Sequence, residues 1–209
     1  MKKAILGKKV GMTQVFDEND AAVPVTVVLC GPMTVVDKRT VDRNGYSAVV
    51  CAYDEVKESK LNNPKLGLFK KASAAPARYL REFRYEDADS YEVGRVIDCS
   101  MFSDGDMVDV SGVTKGRGFT GVIKRWNHHR LKMTHGTGPV HREVGSTGAN
   151  SNPSRRIKNL KMAGQYGHER VTIQNLKVVK VDKARGVLLI RGAVPGPKGG
   201  LVTVRETVK

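Results

Sequence analysis

A stretch of 35 residues in the middle of the chain, from Asn127 to Lys161, sets the strongest limit on how this sequence can fold. Its few large apolar side chains follow neither the period of two of a strand nor the period of 3.6 of a helix. They include Leu131, Met133, Val140, Val144 and Ile157. Ordering a backbone costs on the order of 1–2 kcal/mol per residue, whereas a whole domain is stable by only about 5–15 kcal/mol. We therefore expect this stretch to become ordered only on a partner.

Positive charge is concentrated around this stretch and indicates the chemistry of the partner. Residues 115–170 contain twelve Lys and Arg and two Glu, a balance of +10, while the whole chain of 209 residues carries +15. All five histidines lie in the same region. This distribution favours an anionic partner: a nucleic acid or, as the alternative, an acidic membrane surface. A bland surface loop of this length and charge is uncommon in a compact domain.

RNA fits the region better than duplex DNA. The sequence shows neither an amphipathic recognition helix nor a zinc module. An irregular, glycine-rich, basic segment suits folded RNA, where shape and phosphate contacts dominate. Trp126, His128, His129 and His135 offer flat surfaces that can stack on unpaired bases. For Trp126 the alternative is packing into the core at the base of the segment.

The remaining sequence predicts a mainly β fold. Short β-branched runs separated by turn signals such as Gly31-Pro32 and Asn44-Gly45 favour a small antiparallel barrel. The predicted strands are 23–30, 33–40, 46–53, 91–102, 107–113, 170–182, 187–194 and 201–208, and a helix is predicted over 119–126. We assign residues 1–56, 86–126 and 162–209 to a β-barrel domain, 57–85 to a partly helical insertion and 127–161 to a long irregular extension.

Several other functions find little support. The "GRGFTG" segment at 116–121 has G-x-G-x-x-G spacing, but a dinucleotide site also needs a βαβ unit, and no strand follows its helix. A nucleotide-dependent enzyme is therefore only the alternative. No zinc spacing occurs, and Cys30, Cys51 and Cys99 are expected to be buried thiols in a reducing cytosol. We expect no catalytic residue, metal, cofactor or small-molecule substrate.

The sequence also predicts no membrane segment. No run approaches the roughly 18 apolar residues of a span, and the apolar run after the basic N-terminus is too short for a signal peptide. A membrane-surface protein would need an amphipathic helix with a clean apolar face, which is missing. We expect a cytoplasmic protein.

Seven motifs in a fixed order resemble one family over essentially the whole chain. They are "GKKVGMT" (7–13), "TKGRGFTGVIKRW" (114–126), "MTHG" (133–136), "HREVGSTGA" (141–149), "KMAGQYG" (161–167), "VTIQNLKVVKVD" (171–182) and "GAVPGPKGG" (192–200). Together they resemble the bacterial large-subunit ribosomal protein L3 family.

This resemblance implies a translation-factor-like β-barrel and an extension that reaches through ribosomal RNA toward the peptidyl-transferase centre. It implies a primary RNA-binding protein near the 3′ end of 23S rRNA that nucleates assembly of the 50S subunit and neighbours ribosomal proteins L14 and L19. The tip of the extension falls around Gly148–Pro153. Some family members carry a methylated glutamine there, but "GANSNP" contains none, so that modification is not expected.

The predicted RNA-binding residues fall into groups. Phosphate ligands near the root of the extension are Lys8, Lys9, Lys115, Arg117, Lys124 and Arg125. Those along it are Arg130, Arg142, Arg155, Arg156, Lys158 and Lys161. Tight turns near the tip are expected at Gly145, Gly148 and Asn150. Further contacts are expected from Trp126, His128, His129, Lys132, His135, His141 and Arg170.

Overall fold

The computed structural model describes residues 3–148 and 150–208. The chain forms two compact units. The first, Met1–Val113 with Arg170–Lys209, is called the barrel unit below, and the second, Thr114–Glu169, the loop unit.

Strands are numbered in chain order, and β8 and β9 lie in the loop unit. The first seven strands of the barrel unit are β1 (Ala4–Phe16), β2 (Ala22–Cys30), β3 (Met33–Arg39), β4 (Ala48–Glu55), β5 (Ala77–Phe83), β6 (Val96–Ile97) and β7 (Met107–Val113). Its last three strands are β10 (Arg170–Asp182), β11 (Val187–Arg191) and β12 (Leu201–Glu206). Its α-helices are α1 (Val41–Asn44) and α2 (Asn63–Lys71). Single turns of 3-10 helix lie at Glu58–Lys60, Ala88–Ser90 and Cys99–Met101.

Six of these strands close an antiparallel barrel in the order β1, β12, β7, β10, β11, β2. Alternate residues fill its interior, as the period of two requires. Val110, Leu188, Ile190 and Val204 are completely buried there. The predicted fold class, a mainly β protein with a small antiparallel barrel, is confirmed.

The other strands of the unit form a second sheet in the order β5, β4, β3, β6. The sequence assigns β3 and β4 to the barrel domain; they lie in the barrel unit, where they pair with each other and with β5 and β6 and not with the strands of the closed barrel. Tyr85 ties this sheet to the barrel, because its buried hydroxyl donates to the Ala4 carbonyl at 2.6 Å. The residues predicted as an insertion, 57–85, supply both α2 and the edge strand β5. Phe69 of α2 is buried beside Val36 and Ala52.

Two strand predictions fail for identifiable reasons. The predicted strand 91–102 is reduced to β6, because turns lie on both sides of it. Before it, Gly94 takes a positive φ of 92°. After it, Ser100 N donates to Asp98 Oδ1 at 2.8 Å, where the 3-10 turn Cys99–Met101 begins. β1 was not predicted, because glycines and lysines interrupt its apolar pattern. Gly7 is needed in β1, since a Cβ there would lie 2.6 Å from Val28 Cγ1 inside the barrel.

The loop unit contains little regular structure. Its elements are strand β8 (Phe119–Thr120), helix α3 (Val122–Trp126) and strand β9 (Gly164–Gln165), with β8 and β9 antiparallel. The predicted helix over 119–126 is therefore shorter than expected, because its first residues pair as β8. Within residues 3–148 and 150–208, no helix is long and apolar enough to cross a membrane.

Candidate nucleic-acid interface

The loop unit has almost no core of its own. Among its described residues only Thr120 and Val122 are buried. Large apolar side chains such as Phe119, Met133 and Ile157 are 82%, 60% and 68% exposed. Burial of apolar surface, which is the main stabilising force of a folded domain, is therefore nearly missing in this unit.

Backbone hydrogen bonds between the two ends of the unit form its root. Thr114 N donates to Glu169 O at 2.9 Å, and Arg117 N donates to Tyr166 O at 2.8 Å. Tyr166 N in turn donates to Gly118 O at 3.0 Å. The ladder continues into the pairing of β8 with β9. It brings the two ends of the loop together without a hydrophobic cluster.

Besides the backbone ladder, the side chains of Trp126 and Arg125 hold the root by hydrogen bonds to one carbonyl group. The Trp126 indole Nε1 and the Arg125 Nη1 donate to Met162 O at 2.9 and 3.0 Å. Arg125 and Lys161 also lie 5.1 and 5.8 Å from the Trp126 ring centre. The indole remains 40% exposed, so it anchors the root without being buried in a core. Stacking of its free surface on a base stays a prediction.

Local turns shape the predicted extension, residues 127–161. Leu131 N donates to His141 O at 2.9 Å, and His141 Nδ1 lies 3.1 Å from Lys132 O. Gly145 and Gly148 have φ values of 77° and 82°, in the left-handed region that glycine tolerates best. The backbone therefore turns at both glycines, and their part in RNA binding stays a prediction.

The tip of the extension also has a turn. Asn150 bridges to Pro153, and Ser154 N donates to Asn150 O at 3.2 Å. Asn150 is exposed. Ala149, part of the tip segment that lacks the methylated glutamine, lies outside the described residues.

The basic side chains of the loop unit are mostly exposed, and no ion pair with Asp or Glu is found for them among the described residues. All are exposed except Arg125, which is half-buried. Among the described residues, every ion pair found lies in the barrel unit. Some cations contact neutral groups: Arg117 lies 5.0 Å from the Tyr166 ring, and Arg156 contacts Met162 Sδ at 3.6 Å. Lys161, beside the Trp126 ring, is also exposed, and the remaining predicted ligands with exposed charge are Lys115, Lys124, Arg130, Lys132, Arg142, Arg155 and Lys158.

The histidines vary in exposure. His128 and His141 are half-buried, whereas His129 and His135 are exposed. His135 has a φ of 60°, and Gly136 after it has 74°, so a turn displays this side chain. No grouping of metal-ligating side chains occurs among residues 3–148 and 150–208.

Lys8 and Lys9, predicted as phosphate ligands, have contacts within the barrel unit. Lys8 Nζ pairs with Asp54 Oδ1 at 2.6 Å. Lys9 Nζ donates to the carbonyls of Val194 and Gly196 at 2.7 and 3.2 Å. Arg170, at the start of β10, is exposed and pairs through its backbone with Val113.

Sequence reasoning missed a second basic region, residues 57–85. It contains eight Lys and Arg against two Glu, and all eight cations are exposed. They are Lys57, Lys60, Lys65, Lys70, Lys71, Arg78, Arg81 and Arg84. A charge count by segment would have found this region, because residues 1–56 contain seven basic and seven acidic residues and are neutral by comparison.

The glycine-rich turn does not form a dinucleotide site. The helix that follows it, α3, has five residues, and the strand before that helix, β8, pairs antiparallel with β9. A pyrophosphate site of this type requires a parallel βαβ unit. The geometry therefore gives no support to the enzyme alternative.

A folded barrel unit joined to a basic unit with almost no core is typical of proteins that bind nucleic acid. The profile of the family "Ribosomal protein L3" matches residues 84–188. The chain is 53% identical to the large ribosomal subunit protein uL3 of Acetivibrio thermocellus, over all of this chain and 99% of that protein. It is also 53% identical to the uL3 of Petrotoga mobilis, over 99% of this chain and 96% of that protein.

The chain belongs to the ribosomal protein L3 family. Membership confirms the predicted resemblance. It also confirms the prediction of a structural, non-enzymatic protein of the large ribosomal subunit that acts in translation and is located in the cytoplasm.

Proposed function

We propose that this protein is a primary ligand of 23S rRNA near its 3′ end and that it nucleates assembly of the 50S subunit. The barrel unit is the folded anchor. The extension, residues 127–161, passes between RNA helices toward the peptidyl-transferase centre. Ribosomal proteins L14 and L19 are the proposed neighbours.

One observation carries this proposal: the loop unit combines a charge of +9 with no internal ion pair and one buried apolar side chain among its described residues. Exposed cations gain free energy when they replace the counterions of a polyphosphate. Exposed glycine turns let the backbone approach RNA closely. RNA would thus supply the stabilisation that a hydrophobic core supplies elsewhere.

The predicted ligands have different parts in this arrangement. Arg130, Arg142, Arg155, Arg156 and Lys158 contact phosphates along the extension, and Lys115, Lys124 and Lys132 contact them nearer the root. Four residues combine RNA contact with the hydrogen bonds and ring contacts that hold the root: Arg117, Arg125, Trp126 and Lys161. Because Lys8 and Lys9 are engaged within the barrel unit, we assign them a smaller share of the binding free energy.

Deletion of the extension tests the proposal. A Gly-Ser linker replaces residues 127–161, and binding is measured with a fragment of the 3′ region of 23S rRNA and with an unrelated folded RNA of equal length. Wild-type protein should prefer the 23S fragment and lose roughly a thousandfold in affinity between 50 and 200 mM salt, if about six phosphates are neutralised. The deletion should keep its barrel circular dichroism, lose most of the affinity and show a shallower salt dependence.

A charge-matched control separates shape from charge. It keeps the composition of residues 127–161 but scrambles their order, so that non-specific attraction persists and the preference for the 23S fragment disappears. Equal affinity of the deletion and the wild type for the 23S fragment would refute the proposal.

A further inference from the structure

A cavity of about 320 Å³ opens on the barrel unit, between the end of β5 and the outer wall of the barrel. Three arginines line it: Arg81 from β5, Arg170 from β10 and Arg205 from β12. Its wall also includes the hydroxyl side chains Ser111 and Thr203. The volume is at the lower end of the range for ligand sites, about 300–1,000 Å³.

Strand register explains why the lining side chains of the barrel wall meet, while Arg81 comes from the second sheet. Thr203 pairs with Ser111, and Arg205 pairs with Asp109 on the neighbouring strand β7. Val202 and Val204 are buried inside the barrel, so the residues alternating with them on β12 face outward. Arg170 pairs with Val113, two residues after Ser111 on β7, and therefore joins the same outer face.

Arg205 is only partly satisfied by the protein. Its Nη2 lies 3.5 Å from Asp109 Oδ2, a long contact with a carboxylate that is 3% exposed as a residue. Its Nε is buried and has no acceptor among the described residues. A buried donor without an acceptor costs roughly 1–3 kcal/mol, which a ligand oxygen could recover after a small rotation of the side chain.

The other charges around the cavity leave a positive excess. Arg81 donates from Nη1 to the Leu80 carbonyl at 3.2 Å, and no described acid lies within ion-pair distance of Arg81 or Arg170. Glu82 also lines the cavity, but Arg39 Nε contacts its Oε1 at 3.3 Å. The Tyr46 hydroxyl donates to Glu82 Oε2 at 2.9 Å, and this hydrogen bond raises the pKa of Tyr46.

Three guanidinium groups match a phosphate better than a small neutral ligand; the Thr203 hydroxyl lies in the same wall, and the Ser111 hydroxyl shares a hydrogen bond of 2.7 Å with Thr172 Oγ1. Arginine presents a fork of donors that fits two oxygens of one phosphate. In a chain of net charge +15 from the ribosomal protein L3 family, a polynucleotide is the favoured source of that group.

We propose that this cavity binds one backbone phosphate of RNA, held by Arg81, Arg170 and Arg205 on the outer wall of the barrel. The inference rests on the proposed RNA-binding function but concerns a site separate from the extension. It gives the barrel unit a defined nucleic-acid contact of its own.

The test uses the full chain with the double substitution Arg81→Gln and Arg170→Gln, because neither side chain forms an ion pair that folding would lose. Binding to the 23S fragment should weaken roughly tenfold, and the slope of log affinity against log salt should fall by about one. Ethylation of RNA phosphates should inhibit wild-type binding at one position where it no longer inhibits the double variant.

The matched control removes the same charge elsewhere on the barrel unit, by Arg43→Gln and Arg191→Gln, neither of which forms an ion pair among the described residues. These exposed residues do not line the cavity, so their loss should cost clearly less affinity and leave the ethylation pattern unchanged. A third variant, Arg205→Lys, keeps the charge near Asp109 but removes the fork. It should bind several-fold more weakly while its thermal unfolding confirms a folded barrel.

The outcomes separate the two proposals. If wild-type protein shows no preference for the 23S fragment, the proposed function fails. If wild-type protein shows it and the cavity variant binds like wild type, or loses no more than the control, the cavity inference is overturned while the proposed function stands.

Discussion

The barrel unit and the loop unit are parts of one chain that reach order by different means. In the barrel unit, β-branched and aliphatic side chains such as Val28, Val110 and Leu188 are completely buried. In the loop unit, the largest buried apolar side chain among the described residues is Val122. Hydrogen bonds at the root and positive-φ turns replace the core there.

The two units differ in what can offset the entropy cost of ordering their backbones. In the barrel unit, burial at about 25 cal/mol per Å² of apolar surface offsets the entropy of the ordered backbone. Among the described residues of the loop unit, apolar burial is limited to Val122. Contacts with a polyanion can offset the rest of the entropy cost, so binding and folding of this unit are expected to be coupled.

Hydrogen exchange on the free protein should show the largest difference between the units. Barrel amides are expected to be protected by at least about a thousandfold, since they open only with global unfolding. Amides of residues 128–160 should exchange within about tenfold of the rate of an unstructured peptide. Mass spectrometry of peptides from one sample measures both, so the barrel is its own control.

Addition of the 23S fragment sharpens this comparison. It should slow exchange in residues 128–160 and leave the barrel amides nearly unchanged. Strong protection of the extension without RNA would show that it holds its shape alone, and the difference proposed between the units would be lost.

Truncation of one apolar side chain in each unit should give the next largest difference. Leu188 is completely buried in the barrel, so Leu188→Ala should lower the free energy of unfolding by about 2–5 kcal/mol. Ile157 in the extension is 68% exposed, so Ile157→Ala should change it by less than about 0.5 kcal/mol. Urea unfolding followed by circular dichroism measures both. Similar losses in the two variants would contradict the absence of a core around Ile157.

The parts of the molecule that follow local rules were predictable from sequence. β2 and β10 have β-branched runs, and their predicted bounds agree with the structure within one residue. The unpatterned, basic character of residues 127–161 likewise predicted a segment with almost no buried side chains. In both cases the information lies in neighbouring residues.

Features that depend on distant partners were not predictable. β1 requires Gly7 because Val28 packs against its backbone, a contact that its own sequence cannot reveal. The hydrogen bond of Trp126 to the Met162 carbonyl joins residues 36 positions apart. Two of the three cavity arginines, Arg170 and Arg205, are brought together by the register of β10, β7 and β12, and the third, Arg81, comes from the other sheet.

The smallest expected difference is between alanine substitutions of two glycines at the root. Gly118 and Gly167 both have positive φ, 65° and 70°, so an alanine at either position incurs the left-handed penalty of about 1–2 kcal/mol. They differ in their surroundings. A Cβ on Gly167 would collide with the Lys115 carbonyl oxygen, whereas a Cβ on Gly118 has nothing within 4 Å.

Gly167→Ala should therefore open the root more than Gly118→Ala does. Exchange at the Arg117 and Tyr166 amides, which form the ladder, should rise by about tenfold in Gly118→Ala and by clearly more in Gly167→Ala. The melting temperature should stay near the wild-type value in both, because no barrel core residue changes. Equal exchange in the two variants would show that the carbonyl contact does not matter. A large drop in melting temperature for Gly167→Ala would show that the root contributes to barrel stability, and the two units would then unfold as one.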